Sequence, residues 1–299
     1  MDIITLDLDF QNLPQIIASY LIVGPAGPVL VESGPASTYM NLRAGLSQHG
    51  FKITDVKHVL VTHIHLDHAG AAGRLAQEGA QIYVHKVGAP HLIDPSRLLT
   101  SAGRIYGDKM DILWGETVPA PADRVKAVAD GDVLNVAGLQ FTALNTPGHA
   151  WHHHTYRLGN VAFTGDAAGI QIPETDLVEL PAPPPEFKLE VWEQSIDRLL
   201  AENFEAIYPT HFGRLNNPVG QLEGLQTILR QAAEFVRVRM ESGQDRETIV
   251  EAYVAWIQSK ARAAGLSEYT IKQLNTVNPL YMSADGIMHF WRRVAAKQK

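Results

Sequence analysis

The stretch that decides how this chain folds is "LVTHIHLDHAG", Leu60 to Gly70. Three histidines and an aspartate, His63, His65, Asp67 and His68, follow a short run of Val and Leu. The apolar run reads as a strand, so the four polar groups lie in the loop at its carboxyl end, where open α/β sheets place their sites. His63 and His65 are two apart and point the same way in a locally extended loop, suited to one shared metal. Asp67 and His68 come where the chain turns into a helix and point toward a second metal.

Three other apolar runs end the same way. "NTPGHAWHHH" offers His149, "AFTGDAAG" offers Asp166 and "IYPTHFG" offers His211, each with a glycine one or two residues away. A mononuclear site takes three or four protein ligands. Five histidines and two carboxylates suit two metals with one carboxylate shared. The expected assignment is His63, His65 and His149 on the first metal, Asp67, His68 and His211 on the second, and Asp166 as the bridge. The chain has no cysteine, so nitrogen and oxygen must hold the metals. Zinc is the first expectation, with iron or manganese compatible with the same donors.

Composition narrows the partners. A net charge of −7 argues against nucleic-acid binding through phosphate contacts. No apolar run approaches the length of a membrane span, and "MDIITLDLDF" lacks the basic and apolar regions of a secretory signal. A cytoplasmic protein acting on a small-molecule substrate, without nucleic acid or membrane, is expected.

Strands and helices alternate on either side of the histidine loop. "IITLDLD", "ASYLIVG" and "PVLVESG" read as strands, and "TYMNLRAGLSQHG" as a helix stopped at Gly50. Residues 86–120 lose the rhythm and read as short helices in an insertion that could form a lid. Asp130-Gly131 and Ala137-Gly138 suggest an antiparallel meander over residues 124–146, and Gly159-Asn160 a hairpin. A proline-rich loop fills 170–187. Beyond 216 the pattern is helical, with Leu222, Leu225, Ile228, Leu229, Ala232, Phe235 and Val236 on one face. A catalytic domain over 1–215 and a helical region over 216–299 packed on it are expected. Trp256 and Trp291 in that region suggest exposed aromatics for a homodimer.

"THIHLDHAG", "TPGH", "TGD" and "PTHFG", in that order, resemble the HxHxDH signature and later ligand motifs of the metallo-β-lactamase superfamily, over about residues 1–215. The resemblance implies an α/β fold, an αββα sandwich with the metals at one edge. Asp166 and the absence of cysteine resemble the glyoxalase II and lactonase ligand set more than that of the β-lactamases. The implied enzyme is a dinuclear metal-dependent hydrolase of a small ester, thioester or lactone. Paired cations bring a shared water to a pKa of roughly 7 and so supply a bridging hydroxide. No catalytic side chain beyond that hydroxide is expected. A phosphodiesterase or a di-iron redox protein of the same fold, and a non-catalytic descendant, are the alternatives.

Substrate contacts are expected from Tyr106, His153 and Phe187, with Trp114 as a further wall. His85 and His91 flank the insertion and are candidates to reach the pocket. His49, His58 and His289 read as surface or structural, and Glu32 and Glu174 as solvated or structural.

Overall fold

Apolar runs near the start of the chain build the first sheet of this computed structural model, which describes residues 2–171, 175 and 177–297. β1 (Ile3–Asp7), β2 (Ala18–Gly24) and β3 (Gly27–Val31) are antiparallel neighbours. The chain then crosses through α1 (Tyr39–Gln48) to β4 (His58–Leu60), and through α2 (Leu66–Ala69) and α3 (Ala72–Gln77) to β5 (Gln81–His85). Both strands lie parallel to β3, as helical crossovers require. The insertion carries α4 (Ala89–Ile93), α5 (Ser96–Tyr106) and α6 (Met110–Trp114), and β6 (Val125–Val128) returns parallel to β5.

The second sheet holds β7 (Val133–Val136), β8 (Leu139–Asn145), β9 (His154–Leu158) and β10 (Val161–Phe163) as antiparallel neighbours. A small ribbon, β11 (Ile170–Gln171) with β12 (Val178–Glu179), interrupts the proline-rich loop, and Glu174 within it lies outside the described residues. α7 (Leu189–Ala201) then leads to β13 (Ala206–Tyr208), parallel to β10 at the sheet's edge.

The meander expected over 124–146 is only half present. Ala137-Gly138 does close the β7–β8 hairpin, with positive φ at both residues as a tight hairpin turn demands. Asp130-Gly131 instead carries the chain from one sheet to the other. Asp132 accepts from the Ala129 N–H at 2.8 Å and Asp130 from the Asn145 N–H at 2.8 Å, and the turn pairs with β8 through the Gly131 N–H to the Ala143 carbonyl (2.8 Å) and the Ala143 N–H to the Asp132 carbonyl (2.9 Å).

The sheets face each other across an aromatic interior in which Tyr20, Phe163 and Tyr208 meet with ring centroids 5.3–5.5 Å apart. α1 and α3 cover the outside of the first sheet. α7 covers the second, together with α8 (Pro218–Glu241), α9 (Arg246–Ala263), α10 (Glu268–Val277) and α11 (Leu280–Lys297). This is a four-layer αββα sandwich with an added helical region. Asn217, Asp245 and Ser267 cap α8, α9 and α10 by accepting a backbone N–H of the first turn. Leu222 and Leu229 of α8 and Ile287 of α11 are buried in one cluster with Trp192 and Ile196 of α7. Trp256 and Trp291 belong to this packing and are not exposed: Trp256 stacks on Phe235 at 4.6 Å, and the Trp291 indole donates to the Ala233 carbonyl at 2.9 Å. No helix among the described residues is long and apolar enough to cross a membrane.

Glu179 of β12 is buried beneath this helical layer, with Asn278 Nδ2 donating to it at 3.3 Å. Burial pushes its carboxyl pKa up to about 7, against the lowering effect of the Asn278 bond. The folded state therefore holds a proton that the unfolded chain releases near 4.3. Stability falls as pH rises from about 4.5 to about 7 and does not recover above it, a cost on the order of 3 kcal/mol. Glu179→Gln is expected to melt several degrees above the parent at pH 8 and to gain nothing at pH 5, as followed by thermal circular dichroism.

Candidate metal centre

β4 stops at Leu60 because the next turns of chain leave the sheet. His65 is still extended (φ −59°, ψ 152°), and α2 begins only at Leu66. His63 and His65 therefore share one side, while Asp67 and His68 sit in the first turn of α2. The carboxyl ends of β8, β10 and β13 deliver His149, Asp166 and His211 to the same place.

The seven side chains converge as two groups. His65 Nδ1 lies 2.9 Å from His63 Nε2 and 3.0 Å from His149 Nε2. Asp67 Oδ2 lies 3.4 Å from both His68 Nε2 and His211 Nε2. Asp166 stands between the groups. Its Oδ2 is 3.3 Å from His149 Nε2, and its Oδ1 is 3.3 Å from His68 Nε2 and 3.7 Å from His211 Nε2. His63, His65 and His149 could hold one ion and Asp67, His68 and His211 another.

Hydrogen bonds on the far side of each ring show that these atoms fit cations. His149 Nδ1 faces the Pro181 carbonyl at 2.7 Å and His211 Nδ1 the Ile16 carbonyl at 2.7 Å. A carbonyl only accepts, so each Nδ1 carries the proton and each Nε2 of the neutral ring presents a lone pair inward. His68 Nδ1 faces the Glu32 carboxylate at 3.2 Å with the same consequence. His63 Nδ1 donates to Thr62 Oγ1 at 3.1 Å, whose own proton goes to Glu32 at 2.5 Å. Lone pairs thus point at carboxylate oxygens across about 3.3 Å, and His68 Nε2 and Asp166 Oδ1 have no hydrogen-bond partner. Only positive charge between them resolves that contact.

Electrostatics favour positive charge between the rings and the carboxylates, either a proton on His68 and His211 or a cation in its place. Burial, aided by the neighbouring imidazoles, holds His63 well below the ordinary histidine pKa and puts His149 at about 4 despite Asp166. Burial opposes charge on His68 and His211 too, but Asp67 and Asp166 outweigh it and push both upward. Burial would raise Asp67 and Asp166, yet the rings of His68 and His211 draw both well below the usual carboxylate range.

A supporting layer holds these rings. The Glu32 side chain, fully buried rather than solvated, accepts from the Thr62 N–H (3.2 Å), the Thr62 and Thr210 hydroxyls (2.5 and 3.0 Å) and His68. It ties two loops that carry candidate ligands, those of His63 to His68 and of His211, to the end of β3. Trp192 of α7 does the same for two others. Its indole donates to the Ala167 carbonyl at 2.9 Å, its ring meets His149 at 5.7 Å, and Gly148 (φ +136°) lies so close that a Cβ there would sit 2.3 Å from Trp192 Cβ. His153 is buried behind His63 and makes no contact with the cavity. It donates from Nδ1 to Thr146 and accepts the Asp166 N–H at 3.2 Å, so it positions the bridging candidate instead of touching substrate.

A cavity of about 470 Å³ opens onto the cluster, walled by α5, α6, the proline-rich loop and the start of α11. Tyr106, His91 and Trp114 line it, whereas His85 turns inward to pack on His154 at 4.4 Å. Phe187 does not line it either. It is 1% exposed and packs against Trp192 and Phe290, because Pro183 to Glu186 occupy the wall in front of it. Of the histidines set aside as surface or structural, His49 is exposed and His58 and His289 are half-buried.

Two lining residues have no local signal in sequence. His152 accepts the Ile64 N–H at Nδ1 (3.4 Å), so its Nε2 carries a proton toward Glu186, 3.3 Å away. Glu186 also stands 3.7 Å from His65 Nε2, the nitrogen His65 turns away from the cluster. Burial would raise Glu186, but His152 and His65 hold it well below the usual carboxylate range. The trio is an ion-pair cluster whose Glu186 Oε2 has no hydrogen-bond partner, and its three side chains are close enough to form a further candidate cation group.

Residues 13–211 match the family model of the metallo-beta-lactamase superfamily. The chain is 24% identical over 237 residues to a metallo-beta-lactamase fold-containing protein of Sulfurisphaera tokodaii, covering 78% of this chain and 85% of that one. It is 31% identical over 267 residues to the atrochrysone carboxyl ACP thioesterase of Aspergillus fumigatus, covering 88% and 67%. A metallo-beta-lactamase family protein from Thermus thermophilus has the same fold, with a TM-score of 0.68 at 21% identity over 98% and 94% of the two chains. With the αββα layers, the strand ends that carry the candidate ligands and the family match in agreement, this chain belongs to the metallo-beta-lactamase superfamily of hydrolases.

Proposed function

We propose that this protein is a dinuclear metal hydrolase of a carboxylic ester, thioester or lactone. The observation that carries the reading is the set of inward lone pairs on His63, His68, His149 and His211, pinned from behind and split into two groups by the oxygens of Asp166. His63, His65 and His149 would hold one ion, Asp67, His68 and His211 the other, and Asp166 both. Imidazole and carboxylate donors favour zinc, and iron or manganese suit them as well. Bound divalent cations supply Lewis acidity toward a carbonyl and lower the pKa of water.

The chain supplies the rest. The mainly apolar walls of the cavity exclude bulk water from the acyl group. The Tyr106 hydroxyl makes no hydrogen bond among the described residues, and burial, with the charge of Asp67, pushes its pKa up, so it stays a donor. It is placed to bond oxygen charge developing on the substrate. The thioesterase name of the Aspergillus fumigatus relative supports the thioester member of the class.

The test is turnover of aryl ester, thioester, lactone and phosphodiester panels by metal-replete protein. Hydrolysis of a carboxylic substrate, abolished by chelation and restored by zinc, is expected. Turnover of none of these, or turnover indifferent to chelation, would overturn the reading. Tyr106→Phe is expected to lower kcat by about tenfold to a hundredfold with little change in KM, measured on whichever substrate turns over.

A further inference from the structure

α5 presents two different surfaces along its length. Leu98, Ala102, Ile105 and Tyr106 face the cavity that ends on the candidate metal ligands. Arg97 and Ser101 line that cavity too, and also a shallow groove of about 290 Å³ that they share with Ser96, Thr100 and Arg104. This groove offers two guanidinium groups and three hydroxyls, and no carboxylate lines it. Arg97 and Arg104 are exposed and form no ion pair or hydrogen bond among the described residues. Asp94 interacts with Arg97 only at longer range. Two unpaired guanidinium groups beside an apolar cavity, in a chain of net charge −7, suit an anion that arrives with the substrate.

Helix geometry sets the length of that substrate. Arg97 and Arg104 are seven residues apart on α5 and share one face, whereas Tyr106 lies about half a turn round the helix from both. An anion held between the two guanidinium groups is therefore on the order of 8 Å along the axis from a carbonyl beside Tyr106 and Asp67, and across a helix about 10 Å in diameter, so a long arm separates them. A substrate with its charge next to the scissile bond does not span that distance.

Resting on the hydrolase reading above, we propose that the substrate is a thioester with an apolar acyl group and a long thiol arm that ends in a phosphate, held by Arg97 and Arg104. Water adds its oxygen to the acyl carbon, the carbon–sulfur bond breaks, the thiol leaves with one proton and the acid is released with the other. Coenzyme A and a phosphopantetheinyl carrier protein both present such an arm.

The experiment compares kcat/KM of the metal-replete full chain for one aryl-acyl group on N-acetylcysteamine, on coenzyme A and on a phosphopantetheinyl carrier protein. The parent and the Arg97→Gln/Arg104→Gln double variant are measured side by side, each checked for fold by circular dichroism. A phosphorylated-to-neutral ratio of about tenfold or more in the parent, falling toward one in the double variant, is expected, since two exposed ion pairs are together worth about that factor. The arm with the larger ratio identifies the source of the phosphate. A parent ratio near one, or a ratio the double variant leaves unchanged, overturns the proposal while thioester turnover itself upholds the hydrolase reading. Turnover of esters or lactones without any thioester overturns the proposal alone. No turnover on any panel overturns the hydrolase reading first.

Discussion

Asp166→Asn is expected to leave the protein with about one bound metal equivalent in place of two and to lower kcat/KM on the order of a thousandfold, ~4 kcal/mol of transition-state stabilisation. The carboxylate is the one group whose two oxygens reach both clusters, Oδ2 toward His149 and Oδ1 toward His68 and His211. The amide keeps the shape and the acceptance of the turn by His153, which bonds the backbone N–H of residue 166 and not its side chain. What it loses is the negative charge and one lone-pair oxygen. Its NH2 group must then face an imidazole lone pair on one side or the other, so one cluster gains a donor where it needs an anion. Metal content by elemental analysis after gel filtration, with kcat/KM on the active substrate class, reads both effects. Circular dichroism of the metal-free variant separates loss of metal from loss of fold. Two tightly held equivalents and a rate within threefold of the parent would show that the carboxylate does not bridge.

Charge in this region is balanced by position rather than by number. Five buried or half-buried imidazoles face two carboxylates, Glu32 accepts from the far side of His68 and, by way of Thr62, of His63, and the Pro181 and Ile16 carbonyls accept from His149 and His211. Those four rings are thereby held in orientation with Nδ1 as donor, which would reduce the rearrangement that binding an ion requires.

How much of this could be read from the chain alone follows from which signals are local. The loop from His63 to His68 is local: a strand, an extended dipeptide and a helix start dictate where four side chains point. His149, Asp166 and His211 each end an apolar run, so their arrival at one sheet edge follows from the strand pattern. The hairpins at Ala137-Gly138 and Gly159-Asn160 are equally local, because φ > 0 residues mark them. Asp130-Gly131 carries the same mark, but a turn signal does not say which sheet receives the next strand, and β6 belongs to the other one. Glu32 follows a strand just as a solvated strand-end carboxylate does, and only the approach of Thr62, His68 and Thr210 from distant segments buries it. Phe187 and Glu186 are adjacent in a proline-rich loop that has no periodicity, and which of them faces the cavity is decided by tertiary packing against Trp192 and Phe290. The half-burial of Trp256 and Trp291 is likewise a matter of α8 and α9 meeting α11, which helical spacing within each segment does not reveal.

Glu32→Ala is expected to cost on the order of 4 kcal/mol of stability and to weaken metal binding by about tenfold to a hundredfold. Four donors converge on this carboxylate: the Thr62 N–H and hydroxyl, the Thr210 hydroxyl and His68 Nδ1. All are buried, and water has no path to replace the lost acceptor. A buried donor left without a partner costs about 1–3 kcal/mol, so even partial relaxation leaves a large penalty, about 10 °C in Tm for a chain of this size. The residue also holds a left-handed backbone conformation, φ +68°, which side-chain-bearing residues adopt only when their surroundings impose it. Without the carboxylate only the bonds from its N–H to the Leu60 carbonyl (2.9 Å) and from the Ser19 hydroxyl to its carbonyl (2.6 Å) hold it, and alanine relaxing there would pull β3 away from the start of the histidine loop. His68, freed at Nδ1, can rotate or exchange tautomers, and His63 loses the acceptor behind its Thr62 relay. Glu32→Gln separates the two effects: it fills the volume and keeps one acceptor, but sets an amide N–H against incoming donors. Its Tm is expected between those of the parent and the alanine variant, with metal affinity reduced nearly as far as in the alanine variant. Thermal melts of the metal-free proteins report the stability part, and chelator competition reports the affinity part. An alanine variant that melts within about 2 °C of the parent and competes equally well for zinc would mean that the two loops hold their side chains without this carboxylate, and that the tautomers of His63 and His68 are set by something else.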